Sequence, residues 1–131
     1  MKPKIFITGS SGFIGFHVAK KLLDLGLKVH GYDSMNSYYD VNLKRARLSI
    51  LKKYKNFSFT KGLLENEKKV RNINVRFKPN IIIHLGAQAG VRHSINNPNI
   101  YIKSNIIGTY NIPKIASKMK IKHLLIGSSS S

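Results

Sequence analysis

Two periods alternate along this chain. Lys4 to Thr8 reads as a buried first strand, Lys28 to Tyr32, Phe57 to Lys61, Asn80 to His84 and Lys122 to Ile126 as four more strands, and the unbroken Ile81, Ile82 and Ile83 suit burial on both faces. Between them, apolar residues return every three or four positions, the period of an amphipathic helix. After the first strand, Gly9 to Gly15 leads into a helix whose apolar face is expected from Ile14, Val18, Leu22 and Leu25, with Gly26 ending it. A second helix is expected from Val41 to Tyr54, N-capped by Asp40, with Leu43, Ala46, Ile50, Leu51 and Tyr54 inward. On its outer side Lys44, Arg45, Arg47, Lys52 and Lys53 read as a solvated face. A third spans Glu65 to Phe77, and a longer one Pro98 to Lys118, with Pro98 at the first turn. Pro113 lies inside that last helix and predicts a kink or weakening near Asn105.

Strand, helix, strand, helix in this order predicts an α/β fold: a Rossmann-type, doubly wound parallel sheet of about five strands ordered 3-2-1-4-5, most of such a sheet but not all of it. The 131 residues suit one domain and a real core. No cysteine is present, so neither a disulfide framework nor a thiolate metal site is encoded, and a cytoplasmic setting is expected. Lys2 and Lys4 precede an apolar stretch, yet Thr8 to Gly12 interrupts any signal-peptide core, and no run is long enough to span a membrane.

Charge changes this picture less than its size suggests. Lys and Arg number 23 against 5 acids, a net charge of +18, which points toward nucleic acid. However, the lysines are spread along the chain, no aromatic residues interleave with them as a stacking platform, and Lys, Asn and Ile together have the A/T-rich codons of a biased genome. Specific nucleic-acid binding is therefore not expected.

The chemistry concentrates at Thr8-Gly9-Ser10-Ser11-Gly12-Phe13-Ile14-Gly15, a G-x-x-G-x-x-G spacing between a strand and a helix. Gly9 permits a tight turn, Gly12 a close backbone approach to a pyrophosphate, and Gly15 close packing of helix on strand, while the helix N-terminus offers free N–H groups and partial positive charge. Ser11, Phe13 and Ile14 belong to the same cradle. Asp33 ends the second strand, where a carboxylate would accept the adenosine-ribose hydroxyls and repel a 2′-phosphate, which favours NAD over NADP.

These glycines, with Tyr38-Tyr39-Asp40-Val41-Asn42-Leu43-Lys44 and His84-Leu85-Gly86-Ala87-Gln88-Ala89-Gly90-Val91-Arg92, resemble the extended short-chain dehydrogenase/reductases of the NAD-dependent epimerase/dehydratase family, and among them most closely the UDP-glucuronate 4-epimerases. The resemblance covers the whole chain. It implies that Leu85, Gly86 and Ala87 line the cofactor and that Asn105 stands beside the active site, although Asn105 reads equally as a satisfied polar group. Gly127 to Ser131 is similar to the serine-rich end of the fifth strand in that family, which places the catalytic hydroxyl at Ser129. Ser130 and Ser131 would face the substrate or simply end the strand; Arg92 would meet its anionic groups or lie on the surface.

In this family a tyrosine kept ionised by a nearby lysine takes the proton from the sugar 4-hydroxyl as hydride moves to NAD, and the keto sugar then turns and is reduced on its other face. That Tyr-x-x-x-Lys pair follows the serine and lies beyond residue 131, as does most of the sugar domain. The resemblance thus implies the N-terminal part of an enzyme on a UDP-sugar, silent by itself and a homodimer at full length. The alternatives are a fragment of a nucleotide-sugar 4,6-dehydratase, or a non-catalytic dinucleotide-binding module. Tyr110 to Lys114 matches the pair by spacing, but six tyrosines among 18 lysines produce such a match by chance, and it precedes the serine. Leu63 stands where the family usually has an adenine-contacting aspartate.

Overall fold

The computed structural model describes residues 2–38 and 40–128. Five strands, β1 (Lys4–Thr8), β2 (Lys28–Asp33), β3 (Phe57–Lys61), β4 (Ile81–His84) and β5 (His123–Ile126), form one sheet in the order β3-β2-β1-β4-β5. Every pairing is parallel, with Ile5 beside Val29 on one side and Ile81 on the other. This is the expected doubly wound order. Chain direction reverses its march across the sheet between β1 and β4, so a crevice opens at their carboxyl ends.

Alternation along β1 divides the core. Ile5 and Ile7 face one way, joining Phe16, Ala19, Leu23, Val29 and Leu51 beneath α1 (Phe13–Asp24) and α2 (Val41–Lys52). Phe6 faces the other way with Tyr32, Ile82 and residues of α3 (Glu67–Phe77) and α6 (Gly108–Lys118). Each fully buried side chain of this size contributes about 1.5–3 kcal/mol through area removed from water.

Caps fall where expected. Asp40 accepts the Asn42 N–H at 2.9 Å at the start of α2. Gly26 takes φ +83° after α1, and the Leu27 N–H reaches the Leu22 carbonyl at 3.1 Å, which closes that helix.

The helical faces differ from expectation. In α1 the buried residues are Gly15, Phe16, Ala19 and Leu23, whereas Ile14 and Leu25 are exposed and Val18 and Leu22 only half-buried. Close docking of Gly15 on the turn rotates the helix by about one residue. In α2, Leu43, Ala46 and Ile50 are exposed while Leu51 and Lys44 are buried. Lys44 therefore leaves the solvated set; Arg45, Lys52 and Lys53 remain in it.

The stretch from Pro98 to Lys118 is helical throughout but not uniform. It runs as α5 (Pro98–Tyr101), a π-helical turn (Ile102–Ile107) and α6, and a short α4 (Val91–Asn96) precedes it. Pro113 is held within α6, where its missing N–H removes the helical donor for the Thr109 carbonyl. The irregularity is the π turn around Asn105, a feature that often accompanies function.

Candidate functional site

Gly9 follows β1 with φ +74°, and its N–H bonds the Tyr32 carbonyl at 2.7 Å. A methyl added at Gly9 would lie 2.8 Å from the Gly86 nitrogen, and one at Gly15 only 1.9 Å from the Gly9 carbonyl oxygen. These two glycines are required by the fold. Gly12 is different: an added methyl meets only the Gly9 oxygen, at 3.3 Å, and otherwise points into open space at the helix N-terminus.

That N-terminus has no side-chain cap, so the first-turn N–H groups have neither intrahelical nor capping acceptors. Ser11 beside them is buried, and its hydroxyl has no hydrogen-bond partner. A buried unpaired hydroxyl next to free amides is costly unless an acceptor-rich group arrives. Phe13 and Ile14, 67% and 62% exposed, flank the opening instead of entering the core. The donor set and the room left by Gly12 suit the oxygens of a pyrophosphate.

Asp33 is buried at the end of β2. Its Oδ2 accepts the Ser11 N–H at 3.1 Å and its Oδ1 the Met35 N–H at 2.8 Å. Lys44 reaches Oδ1 at 3.3 Å, and Arg47 donates to the Ser11 carbonyl at 3.2 Å while standing over the Phe13 ring. One face of α2 thus grips the turn and its carboxylate together. Sequence periodicity missed both residues; the signal that could have found them is an unpaired aspartate at a buried strand end.

On the β4 side, Thr8 is the hub. Its hydroxyl oxygen accepts the N–H groups of Leu85 at 3.1 Å and Gly86 at 2.9 Å, so its own proton goes to His84 Nδ1 at 2.6 Å. His84 Nε2–H then donates to Thr109 Oγ1 at 3.0 Å. Burial pushes the His84 pKa down to about 4, in keeping with the neutral ring this network needs. Leu85 and Gly86 are half-buried and Ala87 exposed at the crevice.

Asn105 holds the same loop from the π turn. Its Oδ1 accepts the Gln88 N–H at 2.8 Å and its Nδ2 donates to the Gln88 carbonyl at 3.0 Å. Of its two sequence readings, the satisfied polar group describes these contacts. Tyr101 supports the loop further on, its hydroxyl donating to the Ala89 and Gly90 carbonyls. Gly90 has φ +102°, and Tyr38 Oη lies 1.9 Å from where a side chain there would begin.

Other expectations separate. Arg92 is exposed on α4. Leu63 is exposed after β3, with its carbonyl taken by the Tyr32 hydroxyl at 2.6 Å. Tyr110 and Lys114 are both exposed on α6. Ser129, Ser130 and Ser131 lie outside the described residues. Among the described residues no helix is long and apolar enough to cross a membrane.

Fold and site together define a doubly wound α/β domain with a dinucleotide-type glycine turn at its switch point. A family model described as GDP-mannose 4,6 dehydratase matches residues 6–131, and the chain belongs to this NAD-dependent epimerase/dehydratase family. It is 44% identical over 128 residues to a probable UDP-glucuronate 4-epimerase of Rhizobium meliloti, covering 98% of this chain and 38% of that protein. Protein CapI of Staphylococcus aureus is 48% identical with the same coverage of both chains. Among solved structures, a UDP-glucose 4-epimerase of Thermotoga maritima with UDP-glucose is 32% identical, with a TM-score of 0.80 over 96% of this chain and 38% of that one. The Thermus thermophilus UDP-glucose 4-epimerase in complex with NAD is 26% identical, with a TM-score of 0.76 over 92% and 36%. The chain thus spans less than half the length of these relatives.

Proposed function

We propose that this chain is the NAD-binding N-terminal portion of a cytoplasmic nucleotide-sugar epimerase, homodimeric at full length, that inverts C4 of UDP-glucuronate. The observation that carries the reading is the glycine turn, where the buried, partnerless Ser11 hydroxyl and the uncapped start of α1 face the room that Gly12 leaves open. Relatives named as UDP-glucuronate 4-epimerases support the substrate.

Gly9, Gly12 and Gly15 shape the turn, and Ser11, Phe13 and Ile14 border the pyrophosphate. Asp33 receives the adenosine ribose. Leu85, Gly86 and Ala87, held by Thr8 and by Asn105 through Gln88, line the nicotinamide side. Ser129 hydrogen-bonds the reacting sugar oxygen, with Ser130, Ser131 and Arg92 toward the rest of the substrate. Bound NAD supplies a hydride acceptor that later returns the hydride.

A 4,6-dehydratase is the second reading, favoured by the description of the matching family model. Titration of the 131-residue chain with NADH, followed by nicotinamide fluorescence, tests the shared core of both readings. Saturable binding that free ADP competes away is expected; no binding overturns them. Conversion of UDP-glucuronate to its C4 epimer, and not to a 4-keto-6-deoxy sugar, by the full-length protein separates the two.

A further inference from the structure

The ribose end of the site carries more positive charge than an aspartate at a strand end suggests. Asp33 and Lys44 form an ion pair at 3.3 Å with side chains 5% and 11% exposed. A pair this close and this buried has almost no net charge a few ångströms away. Further cations surround it. Lys61 stands in register beside Asp33 on β3, on the same face of the sheet. Met35, whose N–H bonds the Asp33 carboxylate, also lines an open groove of about 360 Å³ with Arg45, Lys52 and Lys61, and no acid is among its lining residues. Arg47 approaches from the turn side.

A lone carboxylate rejects a ribose 2′-phosphate by repulsion and by holding both hydroxyls. Here Ser11, Met35 and Lys44 already donate to Asp33, and the surrounding field is cationic. Resting on the dinucleotide reading above, we propose that Lys44 is a specificity-determining residue: it offsets Asp33 at the ribose end, so that the site accepts a dinucleotide bearing a 2′-phosphate nearly as well as one without.

Parallel fluorescence titrations of the 131-residue chain with NADH and NADPH test this. At low salt the two Kd values are expected to agree within about tenfold, and the gap to widen as salt screens the extra phosphate. Lys44→Met should raise the NADPH-to-NADH Kd ratio by about tenfold or more, since it leaves Asp33 unopposed. Removing one member of a buried pair also destabilises the fold. The companion variant Asp33→Asn with Lys44→Met removes both charges and should return the ratio to near the wild-type value, with melting followed by circular dichroism in each case. A wild-type preference for NADH beyond about tenfold at low salt overturns the inference whatever the variants do, and so does a ratio unchanged by Lys44→Met. Binding of NADH without NADPH sinks this inference alone; binding of neither sinks the dinucleotide reading as well.

Discussion

Thr8 and His84 end adjacent parallel strands and are joined by a hydrogen bond of 2.6 Å from the threonine hydroxyl to Nδ1. Because the same hydroxyl oxygen accepts the Leu85 and Gly86 N–H groups, this bond sets both the histidine tautomer and the course of the loop that crosses the crevice. Thr8→Val keeps the shape and removes all three bonds. A loss of about 2–4 kcal/mol is expected in urea unfolding, because the Gly86 N–H loses its acceptor and buried His84 Nδ1 its donor, while the Leu85 N–H keeps only the Thr8 backbone carbonyl at 3.2 Å. Thr8→Ser keeps the hydroxyl and should cost about 1 kcal/mol, for the lost methyl alone.

The histidine itself gives the fold a pH dependence. Burial moves its pKa from the ordinary 6.5 down to about 4 in the folded chain, and burial together with the nearby Arg76 charge does the same to His30. Unfolded chains therefore bind protons that folded ones refuse as pH falls from 6.5 to 4. Stability should be level above pH 6.5 and decline through that window, with a slope approaching about 1.4 kcal/mol per pH unit for each histidine. Thermal melts across pH 4–8 should show His84→Gln with a visibly shallower decline. A decline confined to higher pH would contradict the assignment.

Three glycines in one motif should respond differently to the same added methyl. Gly15→Ala drives Cβ into the Gly9 carbonyl and Gly9→Ala into Gly86, so both variants should lose about 3 kcal/mol or more and melt early. Gly12→Ala has only the Gly9 oxygen at 3.3 Å to accommodate. It should stay within about 1 kcal/mol of wild type in stability while losing about tenfold or more in NADH affinity, since its methyl stands where the pyrophosphate approaches. Circular dichroism melts and titration on the same samples separate the two effects.

Asn105 acts through Gln88. Asn105→Ala deletes both bonds to that backbone and should cost about 1–2 kcal/mol, with faster amide exchange at Gln88 and at the residues next to it. Unchanged exchange there would show that Thr8, Tyr101 and Asn36, which donates to Gln88 Oε1, hold the loop without Asn105.

What was legible in the chain is what local chemistry specifies. Strand positions follow from short runs rich in aliphatic or aromatic residues, the parallel order from their alternation with helices, the start of α2 from Asp40, the end of α1 from Gly26, and the glycine turn from its spacing between strand and helix. Period 3.6 marks a helix without saying which side meets the sheet. In α2 the leucine and isoleucine stripe suggests one face, yet Leu43 and Ile50 lie exposed while Lys44 is buried, because Asp33 supplies a charge partner that only the folded β2 end can offer. Likewise Thr8, His84 and Asn105 read singly as ordinary polar residues. Their bonding partners lie from 17 to 78 positions away in the chain, and a hydrogen bond at that separation exists only once the sheet and the π turn have brought the two ends within about 3 Å of each other.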